Sequence, residues 1–471
     1  MERDRRDPSE RQDRIGKGSE HVAVFQDKIQ QLLGPEASDL EVALGSQPPV
    51  SIRLNATKWS LPSKDPVPWC TSGQYLAERP AFTFDPLFHA GCYYVQEPAS
   101  MLLEQAFLAS GLSGKDIIAL DLCAAPGGKT THLRSLLSSS SLLVANEIDR
   151  KRQFILQENL WKWGAANTVI CGSDPRDLDR LPEFFDLIMV DAPCSGEGMF
   201  RKDAFARAQW SPALVQHCCG LQRTVLQHAW QALKPGGTLF YSTCTWETAE
   251  NEDQMAELIA MGAVPIKIPV EPAWGMRMGV DGLGLRCYPH KVRGEGFFIA
   301  ALRKPGIHVE ERLIGPLTDN ASQPEMTAWL NEDRPWQLVE HDQIQFAIDG
   351  QHVTNIRSIA NALRVLSPGV PLAEKKGDEW RPHAALALAG DRSTNVFPEI
   401  ALSYDQALAY LRGTALPAKD ARGTALATYN GHGLGWLRGA GNRWNNLLPA
   451  SWRIKAQRPI APNVPWAPSH R

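Results

Sequence analysis

Between residues 115 and 304 the chain alternates short apolar runs with longer segments whose apolar positions recur every three or four residues. The runs at 117–120, 142–145, 168–171, 187–190, 238–242, 265–268 and 297–302 have the length of buried strands. The stretches between them are long enough for helices, notably 150–163, 212–233 and 248–261. Strand and helix in alternation predict an α/β fold with a doubly wound, mainly parallel sheet of seven strands. In such a sheet a ligand sits beyond the carboxyl ends of the strands, so the residues that follow each apolar run are those to read for chemistry. Pro235-Gly-Gly237 reads as a turn into the fifth strand.

Outside this block the pattern changes. Val22, Phe25, Ile29, Leu32 and Leu33 fall about one turn apart, which predicts a helix over 21–44. Ser51-Ile-Arg-Leu-Asn55 alternates like a strand, and 59–84 is rich in Pro, Gly and aromatics. Gly91-Cys-Tyr-Tyr-Val-Gln-Glu-Pro-Ala-Ser100 leads into a helix over 101–110, and we read 21–112 as a small α+β module. Beyond Pro305, polar and apolar stretches alternate around Trp329, Trp336 and Trp380, as in a separate small domain over 305–385. A third unit, 386–458, holds a helix within 397–412, a strand-like run at 423–429, and a glycine-rich stretch at 431–444 flanked by short β segments. The ends are expected to be a disordered leader over 1–20 and a flexible, Pro-rich tail over 459–471, with the main α/β unit at 113–304.

Composition narrows the class. A length of 471 residues suits about three domains at ~150 residues each. Hydrophobic content of 43% and charged content of 21% are those of a soluble globular protein. No apolar run reaches the ~18 residues of a membrane span. The leader is charged throughout, with six acidic and six basic residues, so that a disordered segment is expected there and no signal peptide. Nine cysteines without C-x-x-C spacing point to a reduced, cytoplasmic protein without disulfides or structural zinc. Nothing requires more than a monomer. Net charge is −3, yet from Leu411 to Arg471 nine Lys and Arg face only Asp420. Trp436, Trp444, Trp452 and Trp466 are interleaved with them. Cations beside aromatic platforms are what a phosphate backbone and unstacked bases require.

The chemistry gathers at the ends of the apolar runs. Asp121-Leu-Cys-Ala-Ala-Pro-Gly-Gly-Lys-Thr130 joins the first run to a helical segment over 131–137. Backbone N–H groups at a helix start are unpaired, and glycines let a ligand approach the main chain closely. A phosphate-binding loop would need glycine where Cys123 stands, and no G-x-G-x-x-G is present. The turn therefore suits a ligand without a pyrophosphate, such as S-adenosylmethionine. Glu147, at the end of the second run, can accept both ribose hydroxyls of such a ligand. Asp174 follows the third run and would flank an adenine amino group. Asp191 ends the fourth run, and Cys194 and Cys244 follow the fourth and fifth. Either thiol has the position of a nucleophile, and the residues alone do not say which one attacks.

Taken together, the string 121–130, Asn146-Glu147, Asp191-Ala-Pro-Cys-Ser-Gly196 and Ser242-Thr-Cys-Thr245, in that order, resemble the Sun-type family of RNA cytosine carbon-5 methyltransferases. The likeness covers roughly residues 90–304, and the flanks are similar to the bacterial small-subunit ribosomal RNA methyltransferase F branch. The resemblance implies a Rossmann-like class I methyltransferase domain, an N-terminal module facing RNA, and a PUA-like RNA-binding module over 386–458. It implies that Cys123, Ala124, Ala125, Pro126, Gly127, Gly128 and Lys129, with Glu147, Asp174 and Asp191, hold S-adenosylmethionine. Small-subunit ribosomal RNA is the implied partner and 5-methylcytosine the implied product.

Carbon 5 of cytosine is a poor nucleophile until a thiolate adds to carbon 6. The resemblance implies that Cys244 is that thiolate and that Cys194 assists its elimination. Asp191 can supply a proton or strong hydrogen bond to the ring nitrogen and amino group, with Lys129 orienting Asp191 or the base. Two rival readings are a transfer RNA target with the same chemistry and a catalytically silent RNA-binding assembly factor.

Overall fold

The computed structural model describes residues 8–307 and 324–457. The N-terminal helical pattern becomes α1 (Pro8–Leu33) and α2 (Ala37–Leu44), broken where Gly34 takes φ +56 and Pro35 opens a short 3-10 turn. Helix α1 begins well inside the segment expected to be a disordered leader. The balanced charges that suggested a solvated chain also place Glu10 four residues before Arg14 and Asp13 four before Lys17, spacings that favour a helix. Residues 1–7 of that expected leader lie outside the described residues.

Strands β1 (Val50–Leu54), β2 (Gly73–Leu76) and β3 (Tyr93–Val95) form an antiparallel sheet in the order β2-β1-β3. Asp85 caps the one-turn α3 (Pro86–His89), and Gly111 at φ +70 ends α4 (Leu103–Ser110). Then follow β4 (Ile118–Asp121), α5 (Gly128–Leu136), β5 (Leu142–Asn146), α6 (Arg150–Trp163), β6 (Thr168–Cys171) and β7 (Phe185–Asp191). Next come α7 (Ala204–Gln209), α8 (Pro212–Ala232), β8 (Leu233–Thr243), α9 (Glu252–Ala260), β9 (Val264–Ile266), β10 (Arg277–Met278), β11 (Leu285–Cys287) and β12 (Phe297–Arg303).

Five of these strands are parallel, in the order β6-β5-β4-β7-β8, and β12 runs antiparallel on β8. The chain moves outward from β4 to β6 and then returns to lay β7 on the other side of β4. The order reverses there, which opens a crevice at the carboxyl ends of β4 and β7. The expected Pro235-Gly-Gly237 turn lies within β8, where the pairing jumps from Phe185–Leu233 to Leu187–Thr238.

Among the described residues the sheet has ten strands rather than seven. Besides the seven expected, β10 and β11 lie beyond β12, and one strand comes from past residue 305. After α10 (Pro324–Thr327), β13 (Trp336–His341), β14 (Ile344–Asp349) and α11 (Val353–Ala362), β15 (Val365–Ser367) pairs with the free edge of β6. Ile356 and Ile359 of α11 join the core under the same sheet. An uncovered edge strand is a liability, and three residues are too few to show the alternation that would reveal the strand that covers it.

The remaining strands are β16 (Val370–Lys376), β17 (Glu379–Pro382), β18 (Glu399–Ala401), β19 (Leu416–Ala421), β20 (Thr424–Tyr429), β21 (His432–Gly439) and β22 (Gly441–Asn446), with α12 (Tyr404–Leu411) between β18 and β19. They form a four-stranded sheet, β13-β14-β16-β17, and a five-stranded one, β18-β20-β21-β22-β19. The glycine-rich stretch is strand itself rather than a loop between strands. A side chain at Gly435 would strike the Tyr410 hydroxyl, so glycine there marks close packing.

Trp436 is correspondingly buried, its indole N–H bound to the His383 carbonyl at 2.8 Å. Trp444 and Trp452 are partly buried against the core. Trp436 is therefore not the exposed platform we expected. Arg412, Lys419, Arg422, Arg438, Arg443 and Lys455 remain exposed, while Arg458, Trp466, Arg471 and the expected tail over 459–471 lie outside the described residues. The flanking units also meet: Ile52, Phe84 and Tyr93 share a core with Tyr404, Leu408 and Leu434. The Tyr404 hydroxyl donates to the Phe84 carbonyl across that core at 3.0 Å.

Candidate active site

One wall of the crevice is made by the turn after β4. Gly127 takes φ +110 and α5 starts at Gly128, where an added Cβ would lie 3.2 Å from the Tyr94 ring. The Thr130 hydroxyl ties the turn to its strand, lying 2.6 Å from Asp121 Oδ2 and 3.1 Å from the Ala124 carbonyl. Asp121 is fully buried, and burial pushes its carboxyl up to about 7. Its Oδ1 is buried without a hydrogen-bond partner among the described residues.

At the end of β5, Glu147 is buried and spans the turn and the start of α6. Its Oε2 accepts the Ala125 N–H at 3.3 Å, and its Oε1 accepts that of Asp149 at 2.9 Å. Arg152 lies 3.3 Å from the same carboxylate and also donates to the Ala125 carbonyl. Asn146 joins the walls behind it, donating to the Leu122 and Ser173 carbonyls and accepting the Ser173 N–H. Asp174, next to the Ser173 that Asn146 holds, is engaged locally. It caps the 3-10 helix Pro175–Arg180 and accepts both arms of Arg176, at 2.9 and 2.7 Å. Those bonds hold its carboxyl down at about 2.

The other wall carries the thiols. Asp191 ends β7 opposite Ser242 of β8, and the Ser242 hydroxyl donates to its Oδ1 at 2.7 Å. Its Oδ2 accepts Lys129 Nζ at 2.9 Å, which links the thiol wall to the glycine turn. Burial opposes the charge on Lys129, but Asp191 outweighs it and holds the ammonium above its ordinary range. Lys129 is thus an engaged, largely buried lysine rather than an exposed helix residue.

Cys194 and Cys244 follow the adjacent strands, and their sulfurs lie 3.2 Å apart. The Cys244 N–H points at Cys194 Sγ from 3.3 Å. The bond to Cys244, with burial behind it, pushes the Cys194 thiol well up. Cys123 of the glycine turn is also pushed up, by burial and by the surrounding carboxylates.

The structure thus brings together the 123–129 turn, Glu147, Asp191, Lys129, Cys194 and Cys244, while Asp174 is held by Arg176. Sequence reasoning missed Arg152, five residues from Glu147, and it missed the polar residues behind the thiols: Lys28, Ser195, Glu197, Gln222 and Glu250. Apart from Ser195, which lies within the 191–196 string, the residues behind the thiols belong to no local pattern, because their partners there are distant along the chain. It also missed Cys70, Glu104 and His132, the one group of metal-ligand type among the described residues. These three are buried and bond one another, His132 Nε2 lying 3.3 Å from Glu104 and 3.7 Å from Cys70 Sγ.

The donor set fits S-adenosylmethionine better than a phosphate ligand. Asp121, Glu147 and Asp191 line the turn, and carboxylates suit a diol and a sulfonium while repelling a pyrophosphate. The unpartnered Asp121 oxygen and the glycine turn leave polar capacity on that wall.

Comparison with known proteins gives three matches along the chain. Residues 112–303 match the 16S rRNA methyltransferase RsmB/F family, 23–98 the N-terminal domain of 16S rRNA methyltransferase RsmF, and 397–454 the methyltransferase RsmF PUA domain. The ribosomal RNA small subunit methyltransferase F of Erwinia tasmaniensis is 32% identical over 90% of this chain and 95% of its own. That of Shewanella loihica is 32% identical over 84% of each. Among solved structures, a methyltransferase homologue from Pyrococcus horikoshii is 29% identical with a TM-score of 0.52, covering 64% of this chain and 100% of its own.

Proposed function

The chain belongs to the ribosomal RNA small subunit methyltransferase F family, and on that premise we propose that it methylates carbon 5 of a cytosine in small-subunit ribosomal RNA, with S-adenosylmethionine as donor. The observation that carries the chemistry is the pair of sulfurs 3.2 Å apart at the ends of adjacent strands, joined to the glycine turn through Asp191 and Lys129. The turn Cys123 to Lys129, with Glu147 at its edge, holds the cofactor, and Asp174 extends that site once its pairing with Arg176 opens. When bound, the cofactor supplies an electrophilic methyl group on a sulfonium.

The protein's own groups make the base reactive. The Cys244 thiolate adds to carbon 6, and the electron pair of the 5,6 double bond moves onto carbon 5 and toward the ring nitrogen. Asp191 hydrogen-bonds that nitrogen and the amino group, held in place by Ser242 and Lys129. Once carbon 5 carries the methyl group, its proton passes to water and the thiolate departs with the carbon–sulfur electron pair, which restores the aromatic ring. Cys194 assists that departure from 3.2 Å away. The target base must leave its stack to reach the thiols.

We assign this chemistry to 113–304, completed by β15 and α11 from beyond it. The 21–112 module and the PUA unit, with its exposed cations, grip the RNA, and the protein acts as a monomer in the cytoplasm. Incubation with labelled S-adenosylmethionine and free small-subunit ribosomal RNA, assembled subunits or transfer RNA tests the reading. Label at carbon 5 of a ribosomal cytosine supports it. Label in transfer RNA alone transfers the chemistry to the other substrate, and no label in any mixture points to a silent assembly factor.

A further inference from the structure

Behind the thiols lies a carboxylate to which nothing above gives a part. Glu197, three residues after Cys194, is fully buried. Its Oε2 accepts the Trp246 N–H at 2.9 Å and the Thr245 hydroxyl at 3.0 Å, both from the loop that carries Cys244. Thr245 Oγ1 also lies 3.0 Å from Ser195 Oγ, and the Gly198 N–H donates to the Cys244 carbonyl at 2.8 Å. One buried acid on the Cys194 loop thus gathers the Cys244 loop onto it.

The charge on that acid is met from elsewhere in the molecule. Lys28 of α1 reaches Glu197 Oε1 and donates to Glu247 Oε1 at 2.7 Å. The rings of Phe25 and Trp210 lie 5.1 and 5.2 Å from its ammonium and help screen it from water. Burial, reinforced by the charge of Glu197, pushes the Glu247 carboxyl up to about 7. Among the described residues a single cation therefore serves two crowded acids. Removing it would leave a buried carboxylate unpaired, which is relieved by movement of the loops or by uptake of a proton, and a neutral group at 197 holds the Trp246 N–H and the Thr245 hydroxyl less tightly than a carboxylate does.

We propose that Lys28 and Glu197 are positioning residues that set the spacing of the Cys194 and Cys244 sulfurs, so that a helix of the N-terminal module governs the geometry of the thiol pair. Its consequence for catalysis rests on the proposed function; its geometric content does not. The ruler is closure of the Cys194–Cys244 disulfide by diamide. The two thiols lose two protons and two electrons, a sulfur–sulfur bond forms, and the azo group of the reagent is reduced to a hydrazine. Lys28→Met, and Lys28→Met/Glu197→Gln, which leaves no bare charge at position 197, should both slow closure about 10- to 100-fold, because ångström displacements of reacting atoms cost that much. Methyl transfer should fall by a similar factor, and Lys28→Arg should recover most of both rates. Closure at the wild-type rate in either variant, with cooperative thermal unfolding retained, overturns the proposal. Slowed closure in variants of a protein that methylates no RNA at all would sustain the positioning role and remove the proposed activity.

Discussion

The two walls of the crevice are built by different means. The donor wall is largely backbone: ten consecutive residues, a left-handed glycine and a helix start, with Glu147 bracing the turn from the next strand. The thiol wall consists of side chains from segments far apart along the chain, with Lys28 and Glu197 169 residues from each other. A backbone cradle can be written as a short string, whereas a side-chain scaffold becomes visible only after folding. The donor wall should accordingly fail in affinity and the thiol wall in chemistry.

The largest expected effect is on the thiol wall. Cys244→Ala should abolish methyl transfer and leave no protein attached to RNA, while labelled S-adenosylmethionine still binds with about wild-type affinity in equilibrium dialysis. Residual turnover by this variant would remove Cys244 from the role of nucleophile. Cys194→Ala comes next. It should still add to the base but release it slowly, so protein crosslinked to RNA accumulates on denaturing gels and turnover stalls near one methyl group per enzyme. Exchange of the two phenotypes would exchange the two roles.

The same contrast explains what could be read in advance. All seven predicted strands exist, 168–171 with identical bounds; six are short buried apolar runs, five of them parallel, while the edge strand at 264–266 is mostly exposed. The doubly wound order then brought Asp121, Glu147, Asp191, Cys194 and Cys244 to one end of the sheet. Strands β10, β11 and β15, of two or three residues each, carry no period to detect. Trp436 looked like a platform because aromatics beside cations resemble an RNA surface, yet its indole N–H has a carbonyl partner inside the core. Glu197 and Glu250 carry no signal in the sequence, since a carboxylate that bonds another loop has the same letter as a solvated one. The start of α1 was hidden by charge content, which reports solvation and not the i,i+4 spacing of those charges.

Glu147→Gln tests the donor wall directly. The carboxylate accepts two backbone N–H groups and sits 3.3 Å from Arg152. Loss of its charge should weaken cofactor binding about 10- to 100-fold, the range expected for charged hydrogen bonds worth ~1.5–3 kcal/mol. At saturating cofactor the rate should recover, and diamide should close the thiol pair at the wild-type rate. A variant with normal affinity and a depressed maximal rate would mean that the two walls are not separable in this way.

The smallest effect is the most discriminating. An added Cβ at Gly127 would meet Asn159 Cβ and Leu156 Cδ1 at 3.5 Å, an ordinary contact distance, so alanine fits sterically. What Gly127→Ala loses is conformational: φ +110 is a region that L-residues avoid, at ~1–3 kcal/mol. The turn can share that strain with its neighbours, since Gly128 follows, so the lower end applies and cofactor affinity should fall about fivefold, or ~1 kcal/mol. Because Asp191 is bonded to Ser242 as well as to Lys129, a small shift of the turn should not reach the sulfurs. Disulfide closure at the wild-type rate together with fivefold weaker binding would show that the backbone wall bends without disturbing the side-chain wall. If closure slowed in step with the loss of affinity, Lys129 would be transmitting the strain, and the crevice would have to be treated as a single mechanical unit.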